Sequence, residues 1–262
     1  MHIASVIEIK KSLLPKVEVL AGTIEAKADK WAEVVKIGRT HLEDAVPLTV
    51  GQEWSGYASQ IRDALARVED SLDGLYRLAA GGTAVGTGLN APPRFAEDIA
   101  AKIAELTKLP FVTAPNKFAA QGSLDATVNA HAALRTLAVS LMKIANDMRW
   151  LASGPRCGFG ELILPANGPW SSIMPGKINP TQCEAMVMIC IQVLGNDIAV
   201  AFAGSQGNFE LNAMRPIIIN NFLHSARILA DGGEKVRLFS VEGTELNEKR
   251  IAELVGNSLM LG

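Results

Sequence analysis

One short stretch, residues 171–184, combines polar side chains with the start of a helix, and this combination could bind an anion. It reads Ser-Ser-Ile-Met-Pro-Gly-Lys-Ile-Asn-Pro-Thr-Gln-Cys-Glu. Asn179 suits the N-cap, Pro180 suits the first helical position, and Gln182 completes a capping-box pattern. Because the first N–H groups of a helix are free and its dipole favours negative charge there, we predict a site for a small carboxylate or phosphate beside Lys177. An ordinary capped helix with an exposed lysine is the alternative that these residues leave open.

A second candidate for chemistry is His41, in the segment Gly-Arg-Thr-His-Leu-Glu-Asp at residues 38–44. An imidazole titrates near neutral pH and can therefore move protons. Glu184, in the first turn of the helix that follows Asn179, would orient the ring and favour its protonated form if the two side chains meet. The spacing does not show that they meet, so a surface-loop histidine is the alternative reading of His41.

The glycine-rich run at residues 81–88 does not indicate a nucleotide site. It lacks the Gly-Lys-Ser/Thr ending of a phosphate-binding loop, has no Gly-x-Gly-x-x-Gly spacing, and follows no predicted strand. Close approach of two backbones at a turn between helices explains the glycines instead.

Long helices must position these residues. Apolar side chains recur at steps of three and four, which predicts helices over residues 2–30, 54–75 and 134–151, and Pro15 should kink the first of them. The helix after Asn179 is apolar nearly all round, another is predicted at about 210–237, and short ones follow residue 93 and residue 247. Residues 36–50 and 153–180 read as loops, and nothing reads as a sheet. We therefore predict an all-α bundle of about four long helices, each of roughly 25–30 residues.

Composition excludes several classes of function. The 262 residues carry a net charge of −2 and are 48% hydrophobic, so neither a disordered chain nor a basic nucleic-acid-binding surface is indicated. Three cysteines without metal-ligand spacing favour a reducing compartment. The start of the chain has no signal-peptide pattern, and polar residues interrupt the apolar run 185–203, so a buried helix is favoured over a membrane span. The helices carry more apolar surface than one bundle can hide, which predicts a symmetric homo-oligomer.

The sequence resembles the fumarase/aspartase superfamily at four stretches that occur in the expected order. The most specific is Ser-Ser-Ile-Met-Pro-Gly-Lys-Ile-Asn-Pro, and the others are Gly-Arg-Thr-His-Leu-Glu-Asp, Gly-Gly-Thr-Ala-Val-Gly-Thr-Gly-Leu-Asn and Gly-Asn-Phe-Glu-Leu-Asn, at residues 171–180, 38–44, 81–90 and 207–212. His41, Gly176 and residues 180–184 match class II fumarases, because aspartases tend to differ there. The resemblance implies the central helical domain of such an enzyme, without the N-terminal domain and most of the C-terminal one. It implies one domain over residues 1–262, with about 247–262 as the candidate start of the next.

The resemblance also implies the roles of individual residues. Ser171 resembles the serine that abstracts the C3 proton of malate, His41 the histidine that handles the proton of the C2 hydroxyl, and Glu184 its partner. The positions that match substrate-binding residues are Thr40, Ser172, Lys177, Ile178 and Asn179. No metal or organic cofactor is implied.

The implied reaction is the reversible hydration of fumarate to (S)-malate through an aci-carboxylate, in a homotetramer whose subunits share a helical core and active sites. The implied location is the cytoplasm, or the mitochondrial matrix for a eukaryotic parent.

One departure from the family pattern concerns residues 168–170. The family reads Glu-Pro-Gly before the two serines, whereas this chain reads Gly-Pro-Trp. If the glycine of the family has a positive φ, Trp170 must change the loop and displace Ser171. A non-catalytic tetramerisation scaffold and another lyase of the superfamily, such as an aspartase, are therefore the alternatives to a fumarate hydratase.

Overall fold

Helices dominate the protein, as the sequence predicts. The computed structural model describes residues 1–167 and 174–260. Its α-helices are α1 (His2–Glu8), α2 (Leu14–Lys30), α3 (Val50–Asp70), α4 (Leu72–Leu75), α5 (Phe95–Thr107), α6 (Lys117–Gly122), α7 (Asp125–Leu151), α8 (Thr181–Gly204), α9 (Arg215–Val236) and α10 (Glu248–Asn257). The all-α, long-helix architecture is thus confirmed. Single helices are somewhat shorter than expected, since α7, at 27 residues, is the longest of those described.

The first helical segment contains an irregular turn at the place where the sequence predicts a kink. A π-helical turn, Ile9–Leu13, lies between α1 and α2 and ends two residues before Pro15. Proline has no N–H to donate to the carbonyl four residues earlier, so regular α-helical bonding cannot continue through it. A widened turn is one way in which a helix accommodates such a break.

Short strands accompany the helices, and one pair corrects the sequence interpretation. β1 (Val35–Thr40) and β2 (Glu43–Thr49) form an antiparallel hairpin where residues 36–50 were expected to be a loop. The expectation was wrong because Gly38 and Pro47 resemble loop signals. Gly38 instead lies at a register shift, and Pro47 lies in a two-stranded sheet, where a strand can lack an N–H donor. β3 (Arg77–Leu78) pairs with β4 (Val112–Thr113), and β5 (Leu162–Ile163) with β6 (Glu245–Leu246).

The glycine-rich run at residues 81–88 forms turns without helix or strand. Gly81 has a φ of +91°, and a Cβ there would lie 2.5 Å from the Cβ of Ala96. This close approach, in a backbone conformation that favours glycine, agrees with a packing role for the run.

The chain divides into two compact units by its internal contacts. Unit 1 comprises Met1–Leu14, Leu65–Ala138 and Ile191–Leu229, and unit 2 comprises Pro15–Ala64, Val139–Cys190 and Ala230–Gly262. The core of unit 1 includes Leu124, Val200, Ala203 and Ile218. In unit 2, Trp31 and Trp54 pack edge to face with ring centroids 4.7 Å apart. Every described residue that the sequence predicts for the site belongs to unit 2.

Helix α8 is apolar on faces that this single chain leaves uncovered. Cys183, Met186, Cys190 and Val193 are buried, whereas the side chains of Met188, Ile191, Ile198 and Phe202 are each more than half exposed. By length and composition α8 also matches a membrane span, with a mean hydropathy of 1.9 in its most apolar window, a test that core helices of soluble proteins pass as well. The three cysteines are free thiols.

Candidate functional site

The predicted anion site at the start of α8 is built by a tight turn and a helix N-terminus. Gly176 has a φ of +74°, and the N–H of Lys177 donates to the carbonyl of Met174 at 3.2 Å, which is the pattern of a type II turn with Pro175 at its second position. Glycine is required at the third position because φ is positive there. The turn therefore follows directly from the Pro-Gly pair in the sequence.

The helix begins one residue later than the capping pattern predicts. The carbonyl of Pro180 accepts the N–H of Glu184 at 3.0 Å, which makes Pro180 the capping residue and Thr181 the first helical one. Pro180 has a fixed φ that is compatible with either position. The N–H groups of the first turn are free of helical partners by the geometry of any helix end, so the anion-binding character of this terminus is unchanged.

A cleft of about 550 Å³ lies over this helix start, within unit 2. Six of the residues that line it carry a charge or an amide: Asn146, Arg149, Lys177, Asn179, Glu184 and Asn247. Ile178 also lines it. The structure therefore brings together four of the eight residues that the sequence nominates, Lys177, Ile178, Asn179 and Glu184, in one concave surface of the kind that binds small ligands.

Arg149 is a charged residue of the cleft that sequence reasoning missed. Its Nη2 lies 3.8 Å from Oε1 of Glu184, and its Nη1 donates to Oδ1 of Asn146 at 3.0 Å. Asn146 and Arg149 are three residues apart on α7 and therefore project from the same helical face. The sequence signal for Arg149 was that Asn146 and Arg149 are polar residues three positions apart, beside the apolar seam of α7. The described charged residues that line the cleft are two cations, Arg149 and Lys177, and one carboxylate, Glu184. This excess of positive charge favours an anionic ligand.

The hairpin presents Thr40 and His41 at its tip. His41 has a φ of 58° and Leu42 a φ of 62°, and Thr40 pairs with Glu43, so the two strands join through a two-residue turn of the type I′ kind. Both Thr40 and His41 are exposed, and neither lines the cleft in the described part of this chain. The contact expected between His41 and Glu184 is thus not made there within one copy of the chain.

Ser171 and Ser172 lie outside the described residues, as do Gly168, Pro169 and Trp170. The predicted roles of the two serines, and the effect of the Gly-Pro-Trp departure on the loop, therefore stay predictions. The described residues on either side are Asn167 and Met174.

His131, on α7, is fully buried and hydrogen-bonded at both nitrogens. Its Nδ1 lies 2.8 Å from Oδ1 of Asp197 and its Nε2 lies 2.9 Å from Oγ of Ser225. This order of contacts matches that of a catalytic triad. Because His131 and Ser225 have no exposed surface, this arrangement is part of the interior of unit 1 and not a site open to substrate.

Comparison with known proteins identifies the family. The family model described as lyase matches residues 1–195. The chain belongs to this lyase family. It is 68% identical over 261 residues to a class II fumarate hydratase of Methanosarcina acetivorans, covering 100% of this chain and 54% of that protein. It is 59% identical to the class II fumarate hydratase of Ralstonia nicotianae, of which it covers 57%.

Solved structures of the lyase family agree with this placement. The crystal structure of a class II fumarase from Schistosoma mansoni superposes with a TM-score of 0.96 at 40% identity, covering 99% of this chain and 57% of that one. The predicted resemblance to class II fumarases is thus confirmed. The chain spans about half the length of the curated relatives that it matches.

Proposed function

We propose that the chain is the central helical domain of a fumarate hydratase, which adds water reversibly across fumarate to give (S)-malate. The observation that carries the proposal is the cleft at the start of α8, where Lys177, Asn179 and Glu184 lie together in a chain that resembles class II fumarases over its whole length. We place the domain over residues 1–262, with residues from about 247 leading into the next domain. The cytoplasm of an archaeal or bacterial cell is the proposed location, by analogy with these relatives.

The cleft suits a small dicarboxylate. Removal of a proton next to a carboxylate gives an aci-carboxylate with two negative charges on that group. Lys177, the amide of Asn179 and the free N–H groups of the first turn of α8 are donors fixed before the reaction, and such donors stabilise charge as it develops. Ser171 acts as the base at C3 in this proposal, a role that requires N–H groups or cations to stabilise the ionised form of a serine.

The residues that handle the hydroxyl proton come from two copies of the chain. In the proposal, His41 of one copy reaches the cleft of another, where Glu184 orients its ring. The exposed position of His41 at a hairpin tip, away from the cleft of its own chain, supports this arrangement. The uncovered apolar side chains of α8 support a homotetramer with a shared helical core, because such surfaces mark interfaces.

The test is the reaction of the complete protein that contains this chain. We expect fumarate absorbance to fall as malate forms, and the reverse with (S)-malate. Release of ammonia from aspartate would assign an aspartase instead. Absence of both reactions, with a tetramer still formed, would leave the scaffold reading of the chain.

For residues 1–262 alone, we expect self-association by light scattering and little or no hydratase activity, because these residues span only about half the length of the fumarate hydratases that they resemble. Turnover near that of the complete protein, or a monomer, would contradict this expectation.

A further inference from the structure

The buried carboxylate of Glu161 contacts two cations, Lys36 and Arg39, of the hairpin that carries His41. Its side chain is 3% exposed, with Oε2 lying 3.0 Å from Nζ of Lys36 and Oε1 lying 2.5 Å from Nη2 of Arg39. Both cations belong to β1 and are themselves shielded, Lys36 at 2% and Arg39 at 12% exposure. Nζ of Lys36 also contacts Oε1 of Glu53 at 2.6 Å.

A bulge in β1 makes this double contact feasible. Residues three apart in a regular strand point to opposite faces. The register shifts between Ile37 and Arg39, and a bulge adds the residue that returns the second side chain to the face of the first. Gly38 is needed at this point, since a Cβ there would lie 2.6 Å from the carbonyl oxygen of Val46. The bulge therefore directs both Lys36 and Arg39 to one carboxylate.

The backbone of Glu161 is fixed on two further sides. Its N–H donates to the carbonyl of Leu151 at the end of α7, and its carbonyl accepts the N–H of Asn247 beside α10, each at 2.8 Å. It immediately precedes β5, the strand from which the chain runs on to residues 171–184. Glu161 thus lies between the hairpin that carries His41 and the segment that forms the cleft.

The network does not use its hydrogen-bonding capacity fully. Nη1 of Arg39, Oε2 of Glu53 and Oε1 of Glu161 are buried without a hydrogen-bond partner, so the close approach of Arg39 and Glu161 is an ion pair and not a hydrogen bond. Buried ions with unused donors and acceptors are a weak source of stability, because desolvation opposes the attraction between them. Arg39 also stacks on Phe159, with its guanidinium carbon 4.3 Å from the ring centroid. The arrangement fixes a direction for Arg39 more than it contributes to stability.

We propose that Glu161 is a positioning residue whose carboxylate, acting through Arg39, fixes the turn that presents Thr40 and His41 to substrate. The inference rests on the proposed function, because it assigns the purpose of the network to the placement of His41. The turn itself has only two residues and both have positive φ, so its orientation depends on how β1 is held. Arg39 is two residues from His41 and is the last cation of β1 before the turn.

The first test is Glu161→Gln in the complete protein. We expect kcat to fall about 10- to 100-fold while KM changes far less, because a small misplacement of a proton-transfer group affects the chemical step most. Hydrogen exchange of the amides of residues 35–49 should become faster in the same variant, since the neutral amide cannot hold both cations. The exchange readout does not require turnover, so it tests the positioning even if the proposed function fails.

The second test asks whether Glu161 and Arg39 act as a unit. Arg39→Gln and the double variant with Glu161→Gln complete a cycle, and we expect the double variant to be no slower than the slower single one. Additive losses would overturn the proposal. If Glu161→Gln does not fold, Arg39→Lys, which keeps the charge and loses the planar fork, should show the same fall in kcat and the same faster exchange.

The matched control is Asp197→Asn in unit 1, which removes the charge of another buried carboxylate paired with an arginine. We expect it to lower the melting temperature by an amount comparable with Glu161→Gln and to leave kcat within about twofold. Equal losses of kcat in the two variants would overturn the proposal, as would a loss in Glu161→Gln without faster exchange at residues 35–49.

Discussion

Each unit contains a buried polar network, and the two networks differ in how they pair their polar groups away from water. In unit 1, His131, Asp197, Ser225 and Asn196 lie in the interior, and the contacts run from Asp197 through the ring to Ser225, which also accepts the amide of Asn196 at 3.0 Å. In unit 2, Glu161 holds Lys36 and Arg39 as full charges. In the first network no buried side-chain atom lacks a partner, and the carboxylate of Asp197 is also paired with Arg135, whereas the second network retains unpaired atoms beside an exposed turn.

The difference indicates what each network is for. A neutral imidazole with its proton on Nδ1 can donate to Asp197 and accept the hydroxyl hydrogen of Ser225, so the ring of His131 needs no charge and has one suitable tautomer. Such a network specifies how helices pack. The network of unit 2 instead leaves buried polar atoms without hydrogen-bond partners. Proteins tend to keep such unsatisfied groups at functional sites. We therefore expect changes in the network of unit 1 to affect stability alone, and changes in the network of unit 2 to affect turnover as well.

The largest expected effect is that of His41→Asn in the complete protein. Asparagine tolerates the positive φ of a type I′ turn, so the hairpin should persist while the imidazole is lost. We expect turnover to fall by about 10²- to 10⁴-fold, the usual contribution of a general acid or base. The melting temperature should change by less than about 2 °C, because His41 is exposed.

The control for that variant is Leu42→Asn, which places the same residue at the other position of the turn. Leu42 has a φ of 62° and its side chain is 58% exposed, so the substitution preserves the turn without removing a proton-transfer group. Turnover should stay within about twofold of the unmodified protein. Equal losses in the two variants would show that the turn, and not the imidazole, is responsible.

A smaller effect, on stability alone, is expected for Ser225→Ala. The hydroxyl lies between Nε2 of His131 and the amide of Asn196, and its removal leaves both without this partner. The free energy of unfolding should fall by about 1–3 kcal/mol, measured from the midpoint of urea unfolding at unchanged m-value. A fall in kcat without this loss of stability would assign unit 1 a role in the chemistry and break the comparison.

The smallest effect concerns pH. Burial lowers the pKa of His131 below its usual value, although Asp197 opposes the shift. The unfolded chain therefore binds a proton that the folded chain does not as pH falls below about 6.5, so stability declines from that pH through the lowered pKa. One proton accounts for at most about 1.4 kcal/mol per pH unit. In His131→Gln this part of the slope between pH 6.5 and 5 should disappear, and an unchanged slope would assign the dependence to other groups.

Much of the helical fold is predictable from the sequence because its seams are long and regular. The steps at Leu134, Leu137 and Leu141 belong to α7 and are buried as the period requires. The hairpin was missed because Gly38 and Pro47 resemble loop signals, and because its turn residues, His41 and Leu42, are not the Asn-Gly or Asp-Gly pair that marks a two-residue hairpin. A bulge has no reliable local signature when its glycine also reads as a loop signal.

The cleft was predictable only in part. Its side formed by residues 174–184 follows from a local turn and a helix start, which sequence encodes directly. Arg149, from α7, contributes to the cleft through a contact with Glu184, which lies in a segment far away in the chain. Contacts between residues so far apart in the chain have no fixed spacing in the sequence from which they could be predicted. For the same reason the sequence could not state whether His41 meets Glu184 within one chain.

The most direct test of the account is complementation between two inactive variants of the complete protein. His41→Asn lacks the proton-handling residue, and Lys177→Met lacks a cation of the cleft. If each active site combines His41 of one copy with the cleft of another, refolding the two variants together in equal amounts creates sites with both residues. We predict that fumarate hydration returns to about a quarter of the unmodified rate, the fraction of native pairs in random assembly. A mixture as inactive as its two components would contradict the account.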